Sequence, residues 1–259
     1  MRAGTTFHYV VTAVNVSGNQ SRRSGEASAK TLAGAEETSI GPRPAPLGVS
    51  TGHPSTTAGT IGCRVYKDVG GVLLYYALSN NHIYANENRA SIGDNVLQPA
   101  SYDNGQNPRD KIGTLADFQE IVFSTDTANQ IDAAIALCPL RALGKSAPDG
   151  SFTPSRTPVP ATVGLAVKKY GRTTGLTHGH VYTVNAYVDV TYDSGTARFV
   201  RQIVITPDTF CAGGDSGSLI VTEDGNHPVG LLFAGSTSFI IANPIDLVLD
   251  RFGVTVDGQ

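Results

Sequence analysis

No stretch of this chain approaches the run of about 18 apolar residues that a membrane-spanning helix requires, and Val72 to Leu78 is only of strand length. A basic excess is also missing. The 19 Lys and Arg against 22 Asp and Glu leave a net charge of −3, without the basic patch on which nucleic-acid binding depends. Cysteine is scarce: Cys63, Cys138 and Cys211 allow at most one internal disulfide, and their wide spacing fits no metal-site pattern. Each is expected as a buried free thiol, which behaves as a small hydrophobe. The opening Met1-Arg2-Ala3-Gly4-Thr5-Thr6 has no apolar signal region. What remains is an ordinary globular composition, 40% hydrophobic over 259 residues, enough for one large or two small cores.

Against that background, Cys211-Ala212-Gly213-Gly214-Asp215-Ser216-Gly217-Ser218, followed at once by Leu219-Ile220-Val221, stands out. A serine hydroxyl is a weak nucleophile at its free pKa, so it needs a neighbouring base. The attacked carbonyl needs preorganised N–H donors for its developing charge. Glycines on both sides of Ser216 let the backbone turn tightly enough to aim the amides of Gly214 and Ser216 at one point, an oxyanion hole. Gly, Asp and Ser also dominate plain turns, so the reading requires a base and its orienter elsewhere in the chain.

Residues 5 to 15 put Phe7, Tyr9, Val11 and Ala13 on one face at period two, a strand. Gly18-Asn19 is a turn, and Gly25 to Thr31 is the returning strand. These residues resemble the last two strands of a fibronectin type III module, with Tyr9, Ala13, Asn15, Gly18 and Ser21 at the matching places. Such a sandwich needs about 100 residues, so residues 1–31 are expected to be a partial module, with the start lying inside a longer parent chain. Residues 32–58, rich in Gly, Pro, Ser and Glu, are expected as a linker.

From Gly59 the pattern is continuous β. Strands are expected at 60–66, 72–78, 95–98, 111–115, 120–123 and 131–137, with Asp68-Val69-Gly70-Gly71 as a hairpin turn. A second set is expected at 163–170, 179–190, 197–206, 218–222, 229–233 and 239–242. The chain closes on a helix with Asn243 as N-cap, Pro244 at its first position and Gly253 at its end. Ile245, Val248, Leu249 and Phe252 form the stripe that packs on the second set.

Six histidines compete for the role of base. His82 follows the buried strand 72–78 and would emerge at its end, whereas His53 sits in a Gly/Ser/Thr-rich entry and His178 and His180 occupy strand positions expected to be solvated. For the acid, Asp132 is a lone carboxylate at the head of an apolar strand, where burial demands a hydrogen-bonding partner. Asp94, Asp103, Asp110, Asp117 and Asp126 lie among turn residues and are expected to be solvated. Asp103-Asn104-Gly105 lacks the dense oxygen spacing of a calcium loop, and no metal site is expected.

The order His82, Asp132, Ser216, the two sets of strands, the Gly-Asp-Ser-Gly loop and the C-terminal helix resemble the chymotrypsin-like serine peptidases. Gly171-Arg172-Thr173-Thr174-Gly175 is similar to a segment of the bacterial alpha-lytic-protease branch. The resemblance implies an all-β fold of two six-stranded Greek-key barrels with a C-terminal helix, a peptidase domain over 59–253, and barrels at 59–146 and 160–253. It implies Ser216 as nucleophile, His82 as general base, Asp132 as orienter, and the amides of Gly214 and Ser216 as oxyanion hole. It also implies Arg172 as the internal partner of Asp215, so that the site assembles without the new N-terminus that cleavage releases in vertebrate-type members.

Phe210 would stand at the pocket base, with Ala234 and Gly235 beside the substrate. Phe233-Ala234-Gly235 replaces the Ser-Trp-Gly that is common there. A modest apolar substrate side chain is expected, rather than Lys or Arg. The implied function is a serine endopeptidase without cofactor, acting on protein or peptide, monomeric, and extracellular or at the cell surface with its secretion signal upstream. The alternative is a catalytically inactive binding or adhesion module of the same fold.

Overall fold

A computed structural model describes residues 6–9, 27–30, 44–235 and 239–259, and the chain divides into two compact units, Met1–Thr38 and Ser39–Gln259. In the first, β1 (Thr6–Tyr9) and β2 (Ala27–Lys30) pair antiparallel, from Thr6 opposite Lys30 to Tyr9 opposite Ala27. The expected Gly18-Asn19 turn, and all the fibronectin-like positions except Tyr9, lie outside the described residues.

The second unit runs β3 (Ser50–Thr51), β4 (Gly59–Thr60), β5 (Cys63–Val69), β6 (Val72–Ser79), the single-turn helix α1 (Asn81–Tyr84), β7 (Asn95–Leu97), β8 (Lys111–Phe118), β9 (Ala128–Asn129) and β10 (Ala134–Cys138). It continues through β11 (Ala166–Gly171), β12 (Gly175–Tyr192), β13 (Gly195–Thr206), β14 (Leu219–Thr222), β15 (Pro228–Gly235), β16 (Ile240–Pro244), the helix α2 (Ile245–Phe252) and β17 (Thr255–Val256). One sheet has the order β17-β5-β6-β10-β8-β7. The other has the order β12-β11-β14-β15-β16-β13-β9, and a β12–β13 pairing closes six of its strands into a ring. The fold is therefore all-β with two barrel-like sheets and a C-terminal helix.

Membership of the first sheet differs from expectation at one place. Residues 120–123 form no strand, because the amide and carbonyl of Val122 are taken by the side chain of Asn129, at 2.8 and 2.9 Å. The sixth place goes to β17, which pairs with β5 through Val256 opposite Val65.

Residues 44–58, expected as linker, are packed structure. Ala45 and Leu47 are buried, Ala45 N–H donates to the Ala142 carbonyl, and β3 pairs with β4. Gly- and Pro-rich composition here marks tight turns against a barrel rather than free chain. The remainder of the expected linker lies outside the described residues.

The helix α2 differs in two respects. Its N-cap is Pro244, which offers no capping side chain, because Asn243 points inward to other partners. Its stripe of Ile245, Val248, Leu249 and Phe252 joins a core containing Cys63, Val65, Tyr76 and Leu78 from the first sheet as well as Leu219, Val221 and Leu231 from the second. The helix therefore helps to seal the two barrels together instead of covering the second alone.

The end of the chain is tied down by charge as well as by β17. Arg64 of β5 donates from Nε to Asp257 at 2.9 Å, and Lys145 lies 2.7 Å from the other oxygen. Arg64 and Asp257 are both nearly buried. Breaking such a pair by removing one member strands the other without compensation. Asp257→Asn is expected to lower the unfolding free energy by about 3 kcal/mol in a denaturant titration.

Candidate active site

The strand β6 ends at Ser79, and the next residues turn into α1, so His82 projects from the end of a buried strand. Its Nδ1 lies 2.6 Å from Oδ2 of Asp132, and its backbone N–H reaches Oδ1 at 3.3 Å. Asp132 precedes β10 and its side chain has no exposed surface. Its backbone is fixed on both sides: its N–H donates to Asn243 Oδ1 at 3.1 Å, and its carbonyl accepts from Asn80 Nδ2 at 2.8 Å and Asn243 Nδ2 at 3.1 Å. A third donor reaches the carboxylate, since the hydroxyl of Tyr192 lies 2.9 Å from Oδ2.

Ser216 lies on the loop before β14. Its Oγ is 3.5 Å from the Phe233 carbonyl, and its own carbonyl accepts from Thr60 N–H at 2.8 Å. The glycines have distinct reasons. Gly214 sits at φ +97° and Gly217 at φ +94°, and a Cβ on Gly217 would come within 2.2 Å of Ser79 Oγ and 2.4 Å of the Thr60 carbonyl. The amides of Gly214 and Ser216 have no acceptor among the described residues. Two unengaged N–H groups on one tight loop are what a developing oxyanion needs.

Asp215, between them, is fully buried and fully partnered. Oδ1 accepts from Thr173 N–H at 2.8 Å. Oδ2 accepts from Thr174 Oγ1 at 2.6 Å and Ala212 N–H at 3.0 Å, and lies 3.3 Å from Lys169 Nζ. Burial alone would raise the pKa of this carboxyl, but the Lys169 charge and these hydrogen bonds outweigh it and hold it below the usual range. Lys169 is likewise fully buried; desolvation lowers its pKa while the Asp215 charge opposes that shift.

The expected pairing of Arg172 with Asp215 is corrected here. Arg172 points the other way, donating from Nε to Asp103 at 2.8 Å and pairing with it again through Nη2, and stacks over Tyr102. An arginine in an exposed turn finds a carboxylate at the rim, whereas Lys169 projects from an inward position of β11 directly beneath the loop. Asp103 is accordingly not the free carboxylate expected, and Asp110 is buried, accepting from Gln106 N–H. His53 is also buried, with Nε2 3.3 Å from Asp94.

His82 and Ser216 line one cleft of about 600 Å³, together with Glu87, Val190, Thr191, Tyr192, Asp193, Cys211, Ala212, Gly213, Leu232, Phe233, Ala234 and Gly235. Ala234 and Gly235 thus line the same cleft as His82 and Ser216. Phe210 does not: its side chain is fully buried in the second barrel's core with Val167 and Ile205, because the single helical turn that carries it faces inward. The Cys211 thiol at the cleft wall has its pKa raised to about 11, by burial first and by the Asp215 charge second, which makes it a poor competitor as a nucleophile.

Sequence reasoning missed Tyr192, Asn243 and Lys169. Lys169 carried a readable signal, since it shares the inward face of β11 with Val167 and Gly171. For Tyr192 no local signal exists, as its partner lies 60 residues away.

The family model described as the Nal1 C-terminal domain matches residues 149–241. No curated protein sequence matches the chain. Among solved structures, Thermobifida fusca protease A aligns at a TM-score of 0.58 and 20% identity, over 82% of this chain and 98% of that one. A glutamic-acid-specific serine protease aligns at 0.56 and 23%, over 82% and 99%. Cellulomonas bogoriensis chymotrypsin aligns at 0.53 and 22%, over 82% and 98%. The chain has the double β-barrel fold of the bacterial chymotrypsin-like serine proteases.

Proposed function

We propose that this protein is a serine endopeptidase working through an acyl-enzyme. The observation that carries the reading is the 2.6 Å contact of His82 Nδ1 with a buried Asp132, in the same cleft as Ser216 and its two unengaged amides. A carboxylate on Nδ1 leaves Nε2 facing the cleft as the proton acceptor and stabilises the imidazolium that forms. His82 then takes the proton of Ser216 Oγ as it attacks the scissile carbonyl. The amides of Gly214 and Ser216 receive the negative charge on the carbonyl oxygen. His82 passes the proton to the leaving amine, and water repeats the sequence to release the acid and restore Ser216. These steps draw on side chains, backbone amides and water alone.

The cleft combines the apolar side chains of Val190, Ala212, Leu232 and Ala234, which favour a modest apolar substrate side chain, with the acids Glu87 and Asp193 at its wall. The nucleophile loop holds its form without a released N-terminus, because every strong partner of Asp215 is internal: Lys169, Thr173, Thr174 and Ala212.

The first test is covalent. A fluorophosphonate probe is expected to label the native chain and not Ser216→Ala, and hydrolysis of an unfolded protein substrate should fall by about 10⁴-fold or more in that variant. A folded native chain that takes up no probe would leave the inactive binding module.

The second test separates the two cations. Lys169→Met leaves a buried carboxylate uncompensated and is expected to cost about 3–5 kcal/mol of stability in a denaturant titration. Arg172→Ala removes a partly exposed pair and is expected to cost about 1 kcal/mol or less in the same titration.

A pH series adds the sign. Because the folded chain holds the Asp215 carboxyl below its ordinary 3.8, the unfolded chain binds more protons near that pH. The stabilisation by Asp215 is complete above 3.8 and is lost as pH falls through the lowered value. Asp215→Asn should flatten that acid loss.

A further inference from the structure

The hairpin of β12 and β13 extends from the second barrel across to the first. Its turn is held there by Glu87, whose carboxylate accepts from Ser194 N–H at 2.8 Å and from Asp193 N–H at 3.3 Å, while Arg89 lies 2.9 Å from the same carboxylate. The last residue of β12 is Tyr192. Its ring lies 5.8 Å from that of His82 at 59°, 5.7 Å edge-on to Phe123 and 6.3 Å from Phe199, so it is wedged rather than swinging freely. Burial, then the charge of Asp132 and the bond to it, push its phenol pKa well above the usual value, so the hydroxyl remains a donor.

The carboxylate of Asp132 receives two contacts from His82 itself, one of them long at 3.3 Å. The Tyr192 hydroxyl is the donor that comes from outside His82, and among the described residues no other side chain donates to that carboxylate. Phe233, beside Ser216 in the cleft, brings only a ring and no donor. A buried carboxylate accepts at up to four lone-pair sites, and one held only by the ring it must orient can turn with that ring.

We propose that Tyr192 is a positioning residue for the reaction proposed above: its hydroxyl fixes Asp132 from the second barrel, so that His82 is presented to Ser216 in one orientation. The inference rests on the serine-peptidase reading. The hairpin is then a working part of the site, since docking of its turn on Glu87 sets where the hydroxyl falls. The same ring closes the His82–Asp132 contact to water.

The test is Tyr192→Phe, which keeps the wedged ring and removes one oxygen. A hydrogen bond to a charged group is worth enough to change a rate by about tenfold or more. The variant is therefore expected to lose about tenfold in kcat with KM within about twofold of the native value. Proton NMR of the unliganded protein should show the low-field His82 Nδ1–H resonance shifted or broadened, together with a fall of the thermal midpoint, because a donor to a buried carboxylate is lost. A purely structural tyrosine would move the midpoint and leave the kcat and the resonance alone. Native kcat and an unmoved resonance in Tyr192→Phe, in a chain whose Ser216 takes up fluorophosphonate, overturn this inference and leave the peptidase reading standing. A native chain whose Ser216 takes up no probe overturns both.

Discussion

Asp132 is a carboxylate with no contact with water, and both barrels are arranged around that fact. Removing a charge from water costs several kcal/mol unless partners replace the lost hydration. Here they come from two elements, one in each barrel: His82 in the helical turn after β6 and Tyr192 at the end of β12, while Asn243 of β16 and Asn80 at the entry to α1 hold the backbone of Asp132. No one barrel could supply them. The carboxylate is therefore satisfied only when the two sheets have docked, which couples assembly of the fold to assembly of the site.

The same principle recurs beneath the nucleophile loop. Asp215 and Lys169 are both fully buried, and each is tolerable only because of the other and of the hydroxyl and backbone donors around them. Two buried charge centres are thus present: one contacts the imidazole of His82, and the other bonds the loop that carries Ser216. Arg172, by contrast, works at the rim, where its pair with Asp103 links the second barrel to the short turn at 101–103. Thr60 adds a further tie, with its hydroxyl donating to the Gly214 carbonyl at 2.9 Å and accepting from Arg172 N–H at 3.1 Å.

The sequence made legible what depends on residue type and chain order. The serine loop, the lone carboxylate at the head of β10 and the histidine after β6 could be picked out locally, and the strands of the second barrel fell close to their periodic pattern. What depends on long-range partners could not be read. Arg172 looked the better partner for Asp215 because its guanidinium suits a carboxylate, yet β-alternation turns Lys169 inward, and inward position decides the pairing. Asn243 had the residue type of an N-cap, but the backbone of Asp132 claimed both ends of its amide. The segment 120–123 had strand composition, but the Asn129 side chain took the bonds of Val122. Turn-rich composition at 44–58 concealed a segment whose Ala45, Leu47 and Thr51 are buried.

The proposed peptidase requires one geometry: Ser216, His82 and the Gly214 and Ser216 amides must converge on a single reacting carbon. A crystal structure of the native chain with a peptide boronate tests it directly. The expected result is a tetrahedral boron bonded to Ser216 Oγ, with one boron-bound oxygen within hydrogen-bonding distance of both amides and the other facing His82 Nε2. A boronate bound elsewhere, or bonded to Ser216 with its oxygens turned away from those amides, would contradict it.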